Sequence, residues 1–394
     1  MVNRDKYIFF APEFYPIPGG ISEYTKQLAK AFHSAGRLSY LITNQYQKRN
    51  YPFPVMSLKN SWASRTHNKM PLIIRKVFSL MYLVHTRLFL YKNLLRIYLR
   101  RRNDIVLINS LFINYSWFFA RSLTKLNIKY SLLIHGLDIL EKKEQNEKQL
   151  AVLIERSHSL IINSKATVEL VKKELPYVKF PEIIVINPPF DKHQFNTFDL
   201  LKKEYFTNDS SQKIISCICR LVERKGVDIA IKSISELLMF NPEWVFIIGG
   251  DGEERLAIEK LIKDLNLEGR IKLLGKITEQ EKYSLLTHSE VFIMPNHTLG
   301  EKDIEGFGIS FVEAQYFQNV VIGGKSGGVV ESVADKISGF LINFDGSERQ
   351  QIRNYIEYLI SSEENRLKMA KTAKQYVVEN FELSTLINRL KTWS

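Results

Sequence analysis

The chain has 394 residues, of which 45% are hydrophobic and 25% charged, and its formal net charge is +13. This length favours two domains of about 150–200 residues over a single core, and the composition is typical of a globular protein and not of a disordered one. The longest uncharged stretch, residues 105–120, is shorter than the roughly 20 apolar residues that span a bilayer, and no secretory signal is recognisable. The sequence therefore predicts a globular, cytoplasmic protein.

The positive charge is concentrated in the first half of the chain. Residues 1–190 hold 29 Lys and Arg against 12 Asp and Glu, whereas the remainder holds 26 against 30. Such an asymmetry predicts an anionic partner for the first half. No zinc-finger, helix-turn-helix or RNA-binding signature accompanies the basic residues, so nucleic acid is not the predicted partner.

The segment 61–102 contains ten Lys and Arg residues and no Asp or Glu. Its apolar residues from Leu72 to Leu99 recur at helical spacing, which predicts one or two basic amphipathic helices. Such a helix either covers the sheet with a solvated charged face or binds an anionic membrane, where each Lys or Arg contributes about 1 kcal/mol. The second interpretation predicts a peripheral protein on the inner face of the plasma membrane.

Short β-branched and aromatic runs alternate with longer amphipathic stretches along the whole chain. The predicted strands are Tyr7–Ala11, Ser39–Thr43, Ile105–Asn109, Tyr130–Ile134, Leu160–Asn163, Ile183–Asn187, Ile214–Cys219, Val245–Gly249, Ile271–Leu274, Val291–Met294, Val320–Gly323 and Phe340–Ile342. Helices predicted between them include Ser22–Ala35, Val227–Leu238, Glu253–Leu265 and Ile309–Phe317. Continuous apolar strands separated by helices predict parallel sheets covered on both faces, so each half is expected to be a doubly wound α/β domain.

The run Asn187-Pro188-Pro189-Phe190 separates the two halves, because paired prolines end a strand and favour an extended linker. The predicted domains are residues 1–188 and 189–375, and residues 376–394 form a C-terminal helix that could pack back towards the first domain. Ligands of open α/β sheets bind beyond the carboxyl ends of the strands. We therefore expect a ligand in a cleft between the two domains.

A glycine-rich turn between two carboxylates is the most informative motif, Glu305-Gly306-Phe307-Gly308-Ile309-Ser310-Phe311-Val312-Glu313. The turn leads into a helix predicted to begin near Ile309, and helix-start amides carry a partial positive charge that suits phosphate. Glycine lets the backbone approach a ligand closely. Glu305 precedes the helix and Glu313 lies one turn inside it, so the two would reach different hydroxyls of one elongated ligand.

Arg220 and Lys225 follow the first strand of the second half, in the run Arg220-Leu221-Val222-Glu223-Arg224-Lys225-Gly226. Both could meet a pyrophosphate, Arg220 as a planar fork and Lys225 as a point charge. Cys217 and Cys219 precede them and are interpreted as small core residues, since no neighbouring ligand completes a metal pattern. No D-x-D sequence is present, so no metal site is predicted.

Two further motifs follow strands of the first half. Pro18-Gly19-Gly20-Ile21-Ser22 comes after the first strand and precedes a helix, with Ser22 as a plausible cap. His135-Gly136-Leu137-Asp138 follows the strand that ends at Ile134. Both would present polar groups at the carboxyl edge of the first sheet, although a double glycine or a lone histidine is individually weak evidence.

Together these motifs resemble the retaining glycosyltransferases of family 4, which have the GT-B fold of two Rossmann-like domains facing a central cleft. The resemblance covers nearly the whole chain and depends on Gly19-Gly20, His135-Gly136, Asn163-Ser164, Ile186-Asn187-Pro188, Arg220…Lys225-Gly226, Gly249-Gly250-Asp251-Gly252, Leu274-Gly275, Glu305…Glu313, Gly324-Lys325-Ser326-Gly327-Gly328 and Glu331. The runs Met294-Pro295-Asn296…Asp303-Ile304-Glu305-Gly306 and Ser326-Gly327-Gly328 look similar to bacterial mannosyltransferases that build phosphatidylinositol mannosides, a likeness shared by O-antigen and capsule transferases.

The resemblance implies a role for each motif. Glu313 would bind the donor's ribose, Glu305 and His135 would contact the sugar, and Arg220 with Lys225 would neutralise the leaving diphosphate. The remaining donor contacts implied by the family are Gly19, Gly20, Gly250, Lys276, Ile277, Phe307, Gly308, Ile309 and Ser310. The donor is a nucleotide-diphosphate sugar, and neither a metal nor another cofactor is implied.

The implied reaction moves a hexose to a hydroxyl of a lipid-linked or polysaccharide acceptor in bacterial cell-surface glycan synthesis, with retention of anomeric configuration. GDP-mannose is favoured as the donor over UDP-hexose or UDP-HexNAc by the subgroup likeness alone. Two alternatives remain open. The chain could be a GT-B relative with other chemistry, a sugar-nucleotide epimerase or a phosphorylase, or a non-catalytic membrane-bound partner of a transferase.

Overall fold

A computed structural model describes residues 5–12, 14, 19–46, 50–58, 72–101, 103–109, 114–207, 209–300 and 303–393. The chain forms two compact units, Met1–Pro189 together with Leu383–Ser394, and Phe190–Glu382. It leaves the first unit directly after the paired prolines, whose missing amide donors prevent a strand from continuing.

The first unit is built on a parallel sheet. Its strands are β1 Tyr7–Phe10, β2 Leu38–Tyr46, β3 Val55–Leu58, β4 Ile105–Asn109, β5 Tyr130–Ile134, β6 Ser159–Ile162 and β7 Glu182–Val185. They lie in the order β3-β2-β1-β4-β5-β6-β7, in which the direction of winding reverses beside β1. The strands β1, β4 and β5 are buried along their whole length, as expected for a sheet covered on both faces.

The edge strand β3 is the strand that the sequence pattern does not predict. Pro52 and Pro54 precede it, and proline is depleted in strands because it cannot donate to a ladder. Of its four residues only Leu58 is buried. A short strand with this exposure lacks the continuous apolar signal of the central strands, although its pairing with β2 is parallel like the rest.

Helices flank the strands of the first unit. They are α1 Gly20–Ser34, α2 Leu72–Arg100, α3 Asn114–Lys125, α4 Leu137–Glu155 and α5 Lys165–Glu174. The expectation that Ser22 caps α1 is wrong, since the helix starts at Gly20 and Ser22 is buried inside its first turn. Gly19 precedes the helix with a φ of 150°, a conformation that favours glycine.

The second unit repeats the architecture with a six-stranded parallel sheet. Its strands are β8 Lys213–Ile218, β9 Trp244–Gly249, β10 Ile271–Gly275, β11 Ser289–Met294, β12 Val320–Gly324 and β13 Gly339–Ile342. Its helices are α6 Val227–Phe240, α7 Arg255–Asp264, α8 Glu279–His288, α9 Ile309–Tyr316, α10 Val329–Ser332, α11 Glu348–Ser361 and α12 Glu363–Phe381. The strand order is β10-β9-β8-β11-β12-β13, so the winding reverses between β8 and β11. All twelve strands predicted from the sequence are confirmed.

The C-terminal residues divide between the two units. The helix α12 continues to Phe381, so residues 376–381 belong to it and not to a separate C-terminal helix. After an extended residue at Glu382, α13 Leu383–Thr392 lies with the first unit. Buried Arg37 anchors the end of the chain there, because its Nε donates to the Leu390 carbonyl at 2.6 Å and its Nη2 donates to the Trp393 carbonyl.

The predicted basic segment is represented by α2, whereas residues 59–71 and Arg102 lie outside the described residues. Leu90, Leu94 and Ile97 of α2 are buried in the first unit's core. Over the described part of the chain, no helix combines the length and apolarity needed to cross a membrane.

Candidate functional site

The turn after β8 brings two cations to the segment that follows β11. A short 3₁₀ turn, Glu223–Lys225, ends at Gly226 in the left-handed conformation (φ 63°). A Cβ atom at Gly226 would lie only 2.3 Å from the Pro295 carbonyl oxygen, so the close approach of the two segments requires glycine. The His297 amide donates to the Arg224 carbonyl at 2.9 Å and fastens this contact.

The carboxylate of Glu305 lies between these two cations. Its Oε2 accepts from Lys225 Nζ at 2.5 Å and from Arg224 Nη1 at 2.6 Å. Arg224 Nε also pairs with Asp303 Oδ1 at 3.0 Å. Burial opposes ionisation of Glu305, but the charges and hydrogen bonds of Lys225 and Arg224 outweigh it and lower its pKa to about 2. Glu305 is therefore ionised at neutral pH.

Gly327 and Gly328 hold the backbone of the Glu305 loop, which is the segment between β11 and α9 that carries Glu305. The Gly328 amide donates to the Glu305 carbonyl at 2.8 Å, and the Glu305 amide donates to Ser326 Oγ at 3.4 Å. Gly327 has a φ of 53°, and a Cβ there would lie 2.1 Å from the Glu305 carbonyl oxygen. The segment after β12 thus fixes the loop that carries the predicted sugar contact.

The glycine-rich turn ends at the start of α9. Gly308, the residue before the helix, adopts a left-handed conformation, and Ile309 is the first helical residue, as predicted. The Phe307 side chain is buried and meets the edge of Phe381 with ring centroids 5.3 Å apart. The amides at such a helix start lack intrahelical acceptors and can bind an anion. Phe307, Gly308, Ile309 and Ser310 thus supply backbone amides shortly after Glu305 in the chain.

Glu313 lies on the buried side of α9. Its Oε1 pairs with Lys282 Nζ of α8 at 2.8 Å, a contact that sequence reasoning did not predict. Lys282 also pairs with Glu279 at 3.2 Å and lies 4.4 Å from the Tyr283 ring centroid. The structure thus holds the Glu313 side chain from α8 and separates it from the cations that meet Glu305.

The remaining predicted donor contacts lie at the carboxyl ends of β9 and β10. The Gly250 amide donates to the Gly275 carbonyl at 2.8 Å and joins the two strand ends. Lys276, directly after β10, is exposed, and Ile277 packs beside Gly249. Parallel strands end at a common edge, so these residues share an edge with Arg220, which follows β8.

The two arginines of the turn after β8 differ in their surroundings. Arg220 is exposed and forms no ion pair or hydrogen bond through its side chain with the described residues. Arg224, to which sequence reasoning gave no role, contacts Glu305 and Asp303 instead. The available signal was its place within the Arg220–Gly226 run, beside Lys225, but spacing alone could not show which arginine faces the carboxylate.

The first unit brings its own predicted residues together. His135, just beyond β5, contacts Asn109 Oδ1 at the end of β4 through Nε2 at 2.6 Å. Asn109 in turn donates to Thr25 of α1, the helix that begins at Gly20 after Gly19. Burial lowers the pKa of His135 to about 4, so its ring is neutral at pH 7.

Asp138 orients the loop that carries His135. Its Oδ1 accepts from the amides of His135, Gly136 and Ile139 at 2.9–3.1 Å. Burial raises the pKa of Asp138 to about 7, although these amide donors act in the opposite direction. The carboxyl group therefore fixes the start of α4 and the backbone of His135.

No group of three or more His, Cys, Asp or Glu residues suited to a metal ion occurs in the part of the chain that the structure describes. Cys217 and Cys219 are free thiols with sulfur atoms 3.7 Å apart, on and just after β8. Their predicted place in the protein core is confirmed, with Cys217 buried and Cys219 packed against the same cluster.

Several curated proteins are similar to this chain in sequence. A GDP-mannose-dependent monoacylated alpha-(1-6)-phosphatidylinositol monomannoside mannosyltransferase from Corynebacterium glutamicum is 30% identical over 190 residues, 48% of each chain. One human component of phosphatidylinositol N-acetylglucosaminyltransferase is 24% identical over 82% of this chain and 63% of its own. N-acetyl-alpha-D-glucosaminyl L-malate synthase from Bacillus anthracis is 26% identical over 70% of both. The alignment spans about half the length of the first of these relatives.

Solved structures share the fold over nearly the whole chain. A glycosyltransferase from Rickettsia africae superposes with a TM-score of 0.71 at 18% identity over 100% of both chains. Anabaena Alr3699/HepE in complex with UDP-glucose has a TM-score of 0.70 at 19% identity over 98% of both. The predicted fold class, GT-B with two Rossmann-like doubly wound domains, is confirmed.

The family model described as glycosyl transferases group 1 matches residues 201–376. This range contains the Arg220–Gly226 turn, the Glu305 loop and α9. The resemblance predicted from the motifs is thus confirmed by an independent comparison. Residues 201–376 are thus similar in sequence to the glycosyl transferases group 1.

Proposed function

We propose that the chain is a metal-independent, retaining glycosyltransferase of family 4 that takes a hexose from a nucleotide-diphosphate sugar. The observation that carries the proposal is the Glu305 loop, where one carboxylate, two cations and the start of α9 lie together. A sugar offers hydroxyls to the carboxylate, and a diphosphate offers negative charge to Lys225 and the helix amides. A sugar nucleotide presents both groups in one molecule.

Stabilisation of the leaving diphosphate is the main electrostatic task of this reaction. As the glycosidic bond breaks, negative charge grows on the phosphate oxygen that departs with the nucleoside diphosphate. Lys225, the exposed Arg220 and the amides from Phe307 to Ser310 would meet that charge. This arrangement can supply the required positive charge from the protein itself.

The retaining course is proposed from the family resemblance and the position of Glu305. This carboxylate is tied to two cations through Oε2, which suits a sugar-holding contact better than a free nucleophile. The acceptor hydroxyl would attack on the face from which the diphosphate leaves, and a phosphate oxygen would take its proton. Glu313, held by Lys282, would receive the ribose hydroxyls, with Lys276 and Ile277 at the base.

GDP-mannose is our favoured donor, with UDP-hexose or UDP-HexNAc as the next candidates. The Corynebacterium relative is named as GDP-mannose-dependent, while the human and Bacillus relatives are named for N-acetylglucosamine. A lipid-linked or polysaccharide hydroxyl would be the acceptor, in bacterial cell-surface glycan synthesis including lipopolysaccharide. His135, Gly19 and Gly20 are proposed to contact the donor from the first unit.

The exposed face of α2 supports the proposal that the protein sits on the inner face of the plasma membrane. Large apolar side chains with 40–67% exposure follow helical spacing: Met81, Val84, Leu88, Tyr91, Leu95, Tyr98 and Leu99. Exposed Arg87, Lys92, Arg100 and Arg101 accompany this apolar stripe. An apolar stripe with basic neighbours fits the interface of an anionic bilayer, and a lipid-linked acceptor would be met there.

A transfer assay tests the proposed reaction. The purified protein is incubated with GDP-mannose, UDP-glucose or UDP-GlcNAc, with and without a membrane-lipid extract, and the product is analysed by NMR. We expect one donor to be consumed faster with the extract and the new linkage to keep the α configuration of the donor. An inverted product would contradict retention, donor isomerised without acceptor would indicate an epimerase, and phosphate-dependent cleavage would indicate a phosphorylase. No turnover of any donor would favour the non-catalytic partner.

A further inference from the structure

Two cations approach the same oxygen of Glu305, but they are held very differently. Arg224 Nη1 and Lys225 Nζ lie 2.6 Å and 2.5 Å from Oε2. The three side chains are 12–14% exposed, so the cluster is largely shielded from solvent. Together with Asp303 the cluster contains two positive and two negative groups, which leaves no surplus cation for an incoming diphosphate.

Arg224 is fixed from three sides. Its guanidinium bridges Asp303 and Glu305, and its carbonyl accepts from the His297 amide. A planar guanidinium that spans two carboxylates loses both contacts if it turns away. Arg224 could therefore bind a phosphate only by giving up its contacts to Asp303 and Glu305.

Lys225 has a single ion pair within the described residues, the one to Glu305. Its ammonium is a point charge on a flexible stem, so it can turn from one anion to another at little geometric cost. If it did so, Glu305 would keep the contact to Arg224. Arg224 is thus suited to stay on Glu305, and Lys225 is suited to move to another anion.

We propose that Arg224 is a positioning residue that holds the Glu305 carboxylate charged and in place while Lys225 leaves it for the diphosphate of the donor. This inference rests on the proposed function, which supplies the diphosphate. Arg224 acts through Glu305 and need not touch the donor. Without it, Lys225 would be the only remaining cation on a shielded carboxylate, and its departure would leave that charge unpaired.

Loss of Arg224 should weaken the binding of the nucleoside diphosphate. It should also shift the acid limb of the profile of kcat against pH. The groups that influence Glu305 are Lys225 and Arg224 in contact, Asp303 behind Arg224, and the nearby Cys219 thiol. An adjacent cation typically lowers a carboxyl pKa by about 1–3 units, so removing one raises it. Because Glu305 must be ionised to work, activity in the variant is lost at a higher pH than in the wild type.

The test compares Arg224→Met and Arg224→Lys with Arg353→Met in the full-length protein. Arg353 pairs with Glu236 at 2.8 Å on the outer face of the same unit, away from the Glu305 cluster, and is the matched control. GDP and UDP affinities are measured by calorimetry, and kcat is measured from about pH 3 to 8 with the donor that the wild type uses, so that the range includes a Glu305 pKa raised by about 1–2 units from about 2. Circular dichroism confirms that each variant is folded.

We expect Arg224→Met to bind the nucleoside diphosphate at least about tenfold more weakly, the scale of one charged hydrogen bond. Its acid limb should move up by about 1–2 pH units. Arg224→Lys should recover most of the pH shift, because it restores the charge on Glu305. Arg353→Met should match the wild type, and an unshifted acid limb in a folded Arg224→Met protein would overturn the inference.

A double-mutant cycle removes the remaining ambiguity. If Arg224 acts through Glu305, Arg224→Met should weaken nucleotide binding less than about threefold further in a Glu305→Gln background. Fully additive losses would mean that Arg224 contacts the donor itself, and they would overturn a positioning role. A wild-type protein that binds neither GDP nor UDP would instead remove the proposed function, so the two failures are distinguishable.

Discussion

Lys225 is the residue that we expect to contribute most to stabilising the leaving diphosphate. It follows β8, contacts Glu305 and lies where the turn meets the segment after β11. An ammonium in a shielded pocket can stabilise developing phosphate charge far more strongly than one in water. In the proposed function, exposed Arg220 would add a second positive charge at the diphosphate.

Replacing Lys225 with alanine should lower kcat by roughly 100-fold or more, the typical cost of removing one preorganised donor to a developing anion. The fold should remain intact, because Glu305 keeps its bond to Arg224. Steady-state kinetics with saturating donor measure the effect. Lys232→Ala is the matched control, since Lys232 forms a solvent-exposed pair with Asp228 on α6 of the same unit. Near-normal turnover of Lys225→Ala would remove the leaving-group role.

The sequence predicts some residues of the candidate site but not the ion pairs that they form with distant segments. The sequence near Glu305, Lys225 and the start of α9 predicts their positions. Glycines, a strand end and a helix start lie close to them in the chain. The Arg224–Asp303 and Lys282–Glu313 pairs join segments far apart in the chain. Nothing in the spacing shows which charged side chains meet across such loops, so these contacts required the structure.

The helix α2 has large apolar side chains on a buried face and also on an exposed one. A helix of this length normally buries one apolar face and exposes a polar one. Here Leu90, Leu94 and Ile97 are buried, while Leu88, Leu95 and other large apolar residues are exposed on another face. The exposed apolar face with basic neighbours supports contact with an anionic bilayer.

Replacing the exposed Leu88, Leu95 and Leu99 with serine should reduce binding to phosphatidylglycerol vesicles, most clearly at high salt, because it removes buried apolar area. Replacing Lys92, Arg100 and Arg101 with serine should weaken low-salt binding by roughly 100-fold, at about 1 kcal/mol per charge. Vesicle sedimentation measures both effects.

The matched control for the vesicle experiment replaces exposed Phe240 and Leu256 of the second unit with serine, which should leave binding unchanged. Wild-type protein that ignores anionic vesicles would contradict the membrane proposal. A protein that instead self-associates, and becomes monomeric when Leu88, Leu95 and Leu99 are replaced, would assign the apolar face to a second copy of the chain.

Elements with a continuous apolar or periodic pattern could be predicted, and those with a weak pattern could not. The buried strands β1, β4 and β5 are recognisable because most of their residues are apolar. The edge strand β3 is short, largely half-buried and preceded by prolines, so its pairing is visible only once β2 lies beside it. Likewise, the return of α13 to the first unit depends on distant Arg37.

At the scale of the whole molecule, two doubly wound units follow from length, apolar strands and the prolines at Pro188 and Pro189. The first unit is basic, and the second contains the motifs predicted to bind the donor, so we expect the two units to bind different partners. In the proposed function, the first unit meets an anionic surface and the acceptor, while the second holds the activated sugar. The family match to residues 201–376 agrees with the location of the donor motifs.

Thermal unfolding of the whole protein with GDP-mannose, UDP-glucose and UDP-GlcNAc tests the claim that it binds a nucleotide-diphosphate sugar. We expect one donor, present at about 100 times its dissociation constant, to stabilise the folded state by about 2.7 kcal/mol, with mannose or glucose alone giving no shift. Unchanged melting temperatures with all three donors, at millimolar concentration, would contradict the account.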